Sequence, residues 1–191
     1  MVFAQTLLKN IKENMIKAII FDLDGVLVET KDIHFNALNL SIKNTLKINN
    51  AISYKDHINK YDGLPTKEKL NILFGKKLSK KNEKKINLEK QKITSDLIKQ
   101  QIKFSSKIFK IFRNFFEKGY VICVASNAVK STVESCLKIL KIKKFVKYNL
   151  SNNDIDKPKP HPEIYLKLFL KLGLSPRQVL IIEDSYYGLK L

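Results

Sequence analysis

The sequence predicts an α/β fold in which helices flank a parallel sheet, and three observations carry that prediction. Apolar runs at 18–21, 120–125 and 179–182, with a further short strand over 145–150, alternate with stretches of helical periodicity, the pattern that parallel-sheet folds produce. Polar groups stand directly after three of the runs, at the strand end where open α/β sheets bind ligands: Asp22-Leu23-Asp24, Ser126-Asn127 and Glu183-Asp184. Length and composition agree, since 191 residues at 44% apolar content suit one domain, or one core domain with a small insertion.

The bulk properties exclude several classes. No apolar run approaches the roughly 18 residues of a membrane-spanning helix. Residues 1–14 lack the long apolar segment and small-residue cleavage site of a secretory signal, so a cytoplasmic protein without membrane association is expected. The two cysteines, Cys123 in an apolar run and Cys136 in a helical stretch, read as buried reduced thiols rather than a disulfide framework. The formal net charge is +18, and between Lys67 and Lys118 sixteen Lys or Arg stand against five Asp or Glu. Such a patch attracts anions in general. Specific base reading needs bidentate arginine or stacked aromatics, whereas the chain has only Arg113 and Arg177, and its lysine run 76–103 carries no aromatic residue. Nucleic acid is therefore not an expected partner.

Taken in order, residues 1–14 place Phe3, Leu7, Leu8 and Ile11 at helical spacing, and Met15 is an alternative start directly ahead of the first strand. In that strand Ala18-Ile19-Ile20-Phe21 delivers Asp22 and Asp24 to the same side of an extended backbone, and Gly25 permits a sharp turn after them. A paired-carboxylate site follows from that spacing. From Thr30 the pattern turns helical through Ile33, Ala37, Leu38, Leu40, Ile42, Leu46 and Ile48. His34 lies near its start, and a lone histidine there is more often a surface residue than a catalyst. Gly63 and Pro65 mark a turn, Thr66 suits the N-cap of a helix over 67–74, and 80–103 reads as a solvated, highly charged helix.

Ser105 or Ser106 opens an amphipathic helix bearing Ile108, Phe109, Ile111, Phe112, Phe115 and Phe116, which Gly119 closes. The second strand ends at Ser126, and a helix over 129–142 leads to the third. Pro158, Pro160 and Pro162 exclude helix from the loop carrying Lys157 and Lys159, and the last of them begins a helix that stops at Gly173. Acidic residues directly after the apolar run 179–182 are costly to bury unless they bind something, and a metal is the simplest partner.

Four motifs thus occur in order: a strand ending in Asp22-Leu23-Asp24-Gly25, a strand ending in Ser126, Lys157 followed by Pro-x-Pro, and the acidic pair Glu183-Asp184. In this they resemble the haloacid dehalogenase superfamily of phosphohydrolases, and within it the subfamily of β-phosphoglucomutases and phosphoglycolate phosphatases. The resemblance implies a Rossmann-like three-layer core over 15–30 and 104–191, an inserted α-helical cap over 31–103, and an N-terminal extension over 1–14. It also implies a further helix and strand after the fourth strand, so the C-terminal end reads as truncated.

The chemistry implied is Mg2+-dependent hydrolysis of a small phosphorylated metabolite of the sugar phosphate or phosphoglycolate class. Asp22 is the expected nucleophile and Asp24 the expected proton carrier. Ser126, Asn127 and Lys157 are expected to bind the phosphoryl oxygens, with Lys159 the second choice for the lysine. Asp22, Asp24 through its carbonyl, Glu183 and Asp184 are the implied Mg2+ ligands, and His34, Gly63 and Thr66 the implied cap residues that meet the substrate. The alternative is a phosphomutase of the β-phosphoglucomutase type, disfavoured because Thr66 stands where that mutase has an arginine for a second phosphate. From another class, a catalytically idle basic binding protein is weighed against by the presence of both Asp22 and Asp24.

Overall fold

The computed structural model describes residues 16–61 and 64–184. Within them the chain forms β1 (Ala18–Phe21), α1 (Lys31–Leu46), a helical turn Tyr54–Asp56 continuing into a wider turn His57–Tyr61, α2 (Thr66–Phe74) and α3 (Lys80–Gln101). There follow α4 (Ser106–Glu117), β2 (Val121–Ala125), α5 (Lys130–Ile139), β3 (Val146–Leu150), α6 (Glu163–Leu172) and β4 (Val179–Ile182). The described residues form two compact units, one of residues 16–27 together with 104–184, the other within Val28–Lys103.

In the first unit the four strands are all parallel, in the order β3-β2-β1-β4. β1 is interior to the sheet, with Ala18 aligned to Val121 on one side and Val179 on the other. It is buried on both faces, which is why it reads as an unbroken apolar run and not as an alternation. On one face Ala18, Ile20, Cys123 and Ala125 pack against Ile164, Tyr165 and Leu168 of α6. On the other, the ring of Phe21 lies 4.7 Å from that of Phe112 in α4. Helices on both faces of a parallel sheet make this the three-layer, Rossmann-like α/β architecture. After β1 the chain builds outward on one side through β2 and β3, then returns to the other side with β4. The carboxyl end of β1 is therefore a topological switch point, where such sheets open a crevice.

The second unit packs α1 against α3 around Leu38, Ile42, Ile52, Tyr61, Leu70 and Ile86. Ser79 caps α3, its hydroxyl accepting from the Asn82 N–H at 3.2 Å. Among the described residues no helix is long and apolar enough to cross a membrane.

Sequence and structure differ mainly in how far each apolar face extends. In α1 the buried stripe narrows to Ile33, Ala37, Leu38 and Ile42, while Leu40 and Ile48 are exposed. The helix stops at Leu46 because Lys47 takes a left-handed conformation, with φ of 62°, so Ile48 falls beyond it. In α4 only Phe112 is fully buried, and Ile111 and Phe116, at the margins of the apolar arc, stay exposed. Thr66 is the first residue of α2 with Pro65 in the capping position, so it does not cap the helix as expected. Ser105 does cap α4, accepting from the Ile108 N–H at 3.3 Å. Cys123 and Cys136 are free and buried, and burial pushes their thiols up to about 11 and about 12.

Replacing Phe112 with alanine should lower the free energy of unfolding by about 3–5 kcal/mol, read as an earlier denaturant midpoint. Phe116→Ala should shift it by about 1 kcal/mol or less, because that ring already faces water. Equal effects would mean that Phe112 is not the anchor of α4.

Candidate active site

β1 ends at Phe21, yet Asp22 stays bonded to its neighbour, its N–H donating to the Ile182 carbonyl at 2.9 Å. That bond holds the Asp22 carboxyl group at the carboxyl edge of the sheet, only 6% exposed. Leu23 turns into the interior and Asp24 is half-buried. Gly25 follows with φ of 83°, and a Cβ there would collide with the Asp184 carboxylate. Both the dihedral and the space therefore require glycine.

Against Asp22 stands Lys159, 7% exposed, delivered by the proline-rich loop between β3 and α6. Its Nζ donates to Asp22 Oδ1 at 2.7 Å, to Glu183 Oε2 at 2.8 Å and to the Ala125 carbonyl at 2.9 Å. An ammonium has three N–H donors, and these acceptors use all of them. The backbone of Lys159 is held as well: its N–H donates to Asn127 Oδ1 at 2.9 Å, and Asn127 Nδ2 donates to its carbonyl at 3.2 Å. Upstream, Glu163 accepts from the backbone N–H groups of Asp156 and Lys157 at 3.0 and 2.9 Å. Lys167 and these two amides hold the Glu163 carboxyl down at about 2.

Lys157, the residue first expected at the phosphoryl group, is exposed on this loop, and it is Lys159 that reaches the strand ends. Both lysines precede a Pro-x-Pro, since Lys157-Pro158-Lys159-Pro160-His161-Pro162 contains the pattern twice. The second occurrence was the available signal, and burial separates the two. The Asn127 side-chain amide is committed to the Lys159 backbone.

Ser126 is wholly buried; its hydroxyl donates to Asp24 Oδ2 at 3.2 Å and accepts from the Ala128 N–H at 2.9 Å. The end of β2 thus ties to the second carboxylate of the β1 motif. Burial pushes Asp22 up to about 7 against the opposing pull of the Lys159 charge, and Glu183 adds to the rise. Burial alone would push Lys159 down, but the Asp22 and Glu183 carboxylates outweigh it and hold the ammonium above its ordinary value.

Carboxylate oxygens of Asp22, Glu183 and Asp184 lie within 4.8 Å of one another. An all-oxygen set of this kind suits a hard divalent cation such as Mg2+. The fit is helped by Gly25, whose missing Cβ leaves the space that the Asp184 carboxylate occupies. Glu183 Oε2 already accepts from Lys159 and from the Tyr165 hydroxyl, so its other oxygen is the one suited to a cation. Of the residues expected to meet the substrate, half-buried His34 lies on α1 and Thr66 at the start of α2, both in the second unit, while Gly63 lies outside the described residues.

The chain is similar to several known proteins. A phosphorylated carbohydrates phosphatase of Thermotoga maritima is 26% identical over 179 residues, covering 91% of this chain and 79% of the relative. Pyrophosphatase PpaX of Bacillus cereus is 25% identical over 175 residues, covering 91% and 77%. In fold, CbbY of Rhodobacter sphaeroides, solved in complex with phosphate, matches with a TM-score of 0.81 at 21% identity, over 92% of this chain and 80% of that one. A β-phosphoglucomutase of Clostridium difficile matches with a TM-score of 0.77 at 24% identity, over 92% and 79%. The family model of the haloacid dehalogenase-like hydrolases spans residues 19–191, from β1 through every group described above, and the chain belongs to that family.

Proposed function

We propose that this phosphohydrolase is a Mg2+-dependent phosphomonoesterase of small phosphorylated metabolites, of the sugar phosphate or phosphoglycolate class, working in the cytoplasm through an aspartyl-phosphate. The observation that carries the reading is the Asp22 carboxyl group, buried at the end of β1 with an ammonium at 2.7 Å on one side and the acids that follow β4 on the other. Asp22 is the nucleophile: its oxygen forms a bond to phosphorus as the bond to the leaving oxygen breaks. Asp24, oriented by the Ser126 hydroxyl, gives a proton to that leaving oxygen and takes one from the water that later cleaves the acyl phosphate. Lys159 holds phosphoryl oxygens as charge shifts from one side of phosphorus to the other, and Ser126 joins it when its single O–H turns from Asp24 to the phosphoryl group.

Asp22, Asp184 and the second oxygen of Glu183 would hold Mg2+, which supplies neutralisation of phosphate charge when bound. Residues 31–103 take the role of the helical cap, with His34, Gly63 and Thr66 reading the substrate's carbon skeleton. The names of the two relatives support sugar phosphates and pyrophosphate as the first compounds to try.

Phosphate release from a panel of sugar phosphates, phosphoglycolate and pyrophosphate, with and without Mg2+, tests the reading. Release should require Mg2+ and fall to background in Asp22→Asn, while Asp24→Asn should lose roughly 10²–10⁴-fold. Release that survives Asp22→Asn would sink the aspartyl-phosphate. The two lysines give a second test, in which Lys159→Ala loses roughly 10²–10³-fold in kcat and Lys157→Ala stays within about twofold of the unsubstituted chain. Reversed effects would return the role to Lys157.

The pH profile gives a third. A carboxyl group raised to about 7 is protonated, and unable to attack, below that pH. The acidic limb of kcat/KM should therefore have its midpoint near neutrality at limiting Mg2+ and move to lower pH as Mg2+ rises, because a cation favours the ionised form. A limb that stays fixed across Mg2+ concentrations would separate Asp22 from the cation.

A further inference from the structure

We infer that Tyr165 is a positioning residue for the Lys159 ammonium; this rests on the proposed role of Lys159 but can be measured apart from it. Tyr165 lies in the first turn of α6, 1% exposed, among the apolar residues that pack on the sheet. Packing explains the ring but not the hydroxyl. Phenylalanine fills nearly the same volume, and burying a hydroxyl is unfavourable unless it is bonded. Here the O–H donates to Glu183 Oε2 at 2.8 Å, the same oxygen that accepts from Lys159 Nζ at 2.8 Å. The centroid of the ring is also 5.1 Å from Nζ, within cation–π reach.

Tyr165 therefore acts on the ammonium in two ways, directly through its π face and indirectly through Glu183. Two donors converging on one carboxylate oxygen fix it better than one. Fixing Glu183 Oε2 fixes one of the three acceptors that orient Nζ, the others being Asp22 Oδ1 and the Ala125 carbonyl. Electrostatic stabilisation of a transferring phosphoryl group depends on such placement, because a cation that must reorganise during the reaction loses much of its effect.

Tyr165→Phe removes the oxygen and keeps the ring. The first readout is the 15N–1H signal of the Lys159 ammonium, visible when a buried, fully bonded ammonium exchanges slowly, and assigned by its absence in Lys159→Met. In Tyr165→Phe it should shift or broaden away while the melting temperature stays within about 2 °C of the unsubstituted protein. Should that variant melt lower, Glu183→Gln alters the same contact from the other side and must also move the signal. An unmoved signal overturns the inference, as does the absence of any Lys159 signal in the unsubstituted chain. The second readout is kinetic: Tyr165→Phe should lower kcat about tenfold with KM within about twofold. In a Glu183→Gln background the same change should add less than about twofold, since the hydroxyl works through that carboxylate. Equal losses in both backgrounds would overturn it. A chain that releases no phosphate, yet whose ammonium signal moves as expected, would sink the proposed function and leave the placement of Lys159 by Tyr165 standing.

Discussion

The ammonium of Lys159, shared between Asp22 and Glu183, is the interaction on which the carboxyl edge of the sheet depends. The two carboxylates come from neighbouring strand ends, and their side chains are 8% and 2% exposed. Buried so close together, they oppose each other's ionisation, and desolvation opposes it further. A cation between them relieves both effects, and a lysine this deep needs such partners to stay charged. Removing one member of a buried ionic group typically costs about 3–5 kcal/mol, yet replacing the whole group with packed apolar residues is often neutral or better. Stability alone therefore gives no reason to gather these charges at the end of β1. A reaction centre that handles charge does.

Lys159 comes from a loop, and a loop places a side chain only as well as its backbone is held. Three separate restraints act on this one. Pro158, Pro160 and Pro162 fix φ at alternate positions, lowering the entropy lost on ordering the segment. Glu163, in the first turn of α6 where the helix dipole favours an anion, binds the amides of Asp156 and Lys157. Asn127, immediately after β2, then grips both the N–H and the carbonyl of Lys159 itself. The last of these ties the second motif to the third through two hydrogen bonds.

How much of this was legible in the sequence depends on whether a residue's neighbours are local. β1 and β2 were readable because a strand buried on both faces leaves an apolar run whatever it packs against, and the acids beyond β1 and β4 stood out because carboxylates next to such runs are rare. The choice between Lys157 and Lys159 was not readable, since both meet the same local pattern and only the path of the loop buries one of them. Tyr165 was hidden for the opposite reason: its ring sits at an apolar position of α6 and reads as core, which it also is. Leu40 and Phe116 were misplaced because periodicity locates the centre of an apolar face, whereas its width is set by the partner, and Ile48 because the helix ends two residues before it. Lys69 and His57, both buried in the second unit, look from sequence like any surface lysine or histidine.

The full use of the Lys159 donors has a consequence for how a phosphoryl group enters. With Asp22, Glu183 and the Ala125 carbonyl already accepting, the ammonium holds a phosphoryl oxygen only by exchanging one of the three. In the proposed reaction Asp22 is the acceptor to give up, because an oxygen that is accepting a hydrogen bond from an ammonium is a poorer nucleophile than one that is not. The bonds to Glu183 and to the β2 carbonyl can persist through that exchange, and they keep Nζ at the strand ends while its third donor turns from the attacking carboxylate to the group under attack. In the proposed reaction Glu183, held in turn by Tyr165, therefore has a part even with one oxygen withheld from any cation. In that reading the same exchange removes the ammonium's pull on Asp22 as phosphate arrives, and a divalent cation held by Asp22 and Asp184 would keep the carboxyl group ionised as that pull is lost.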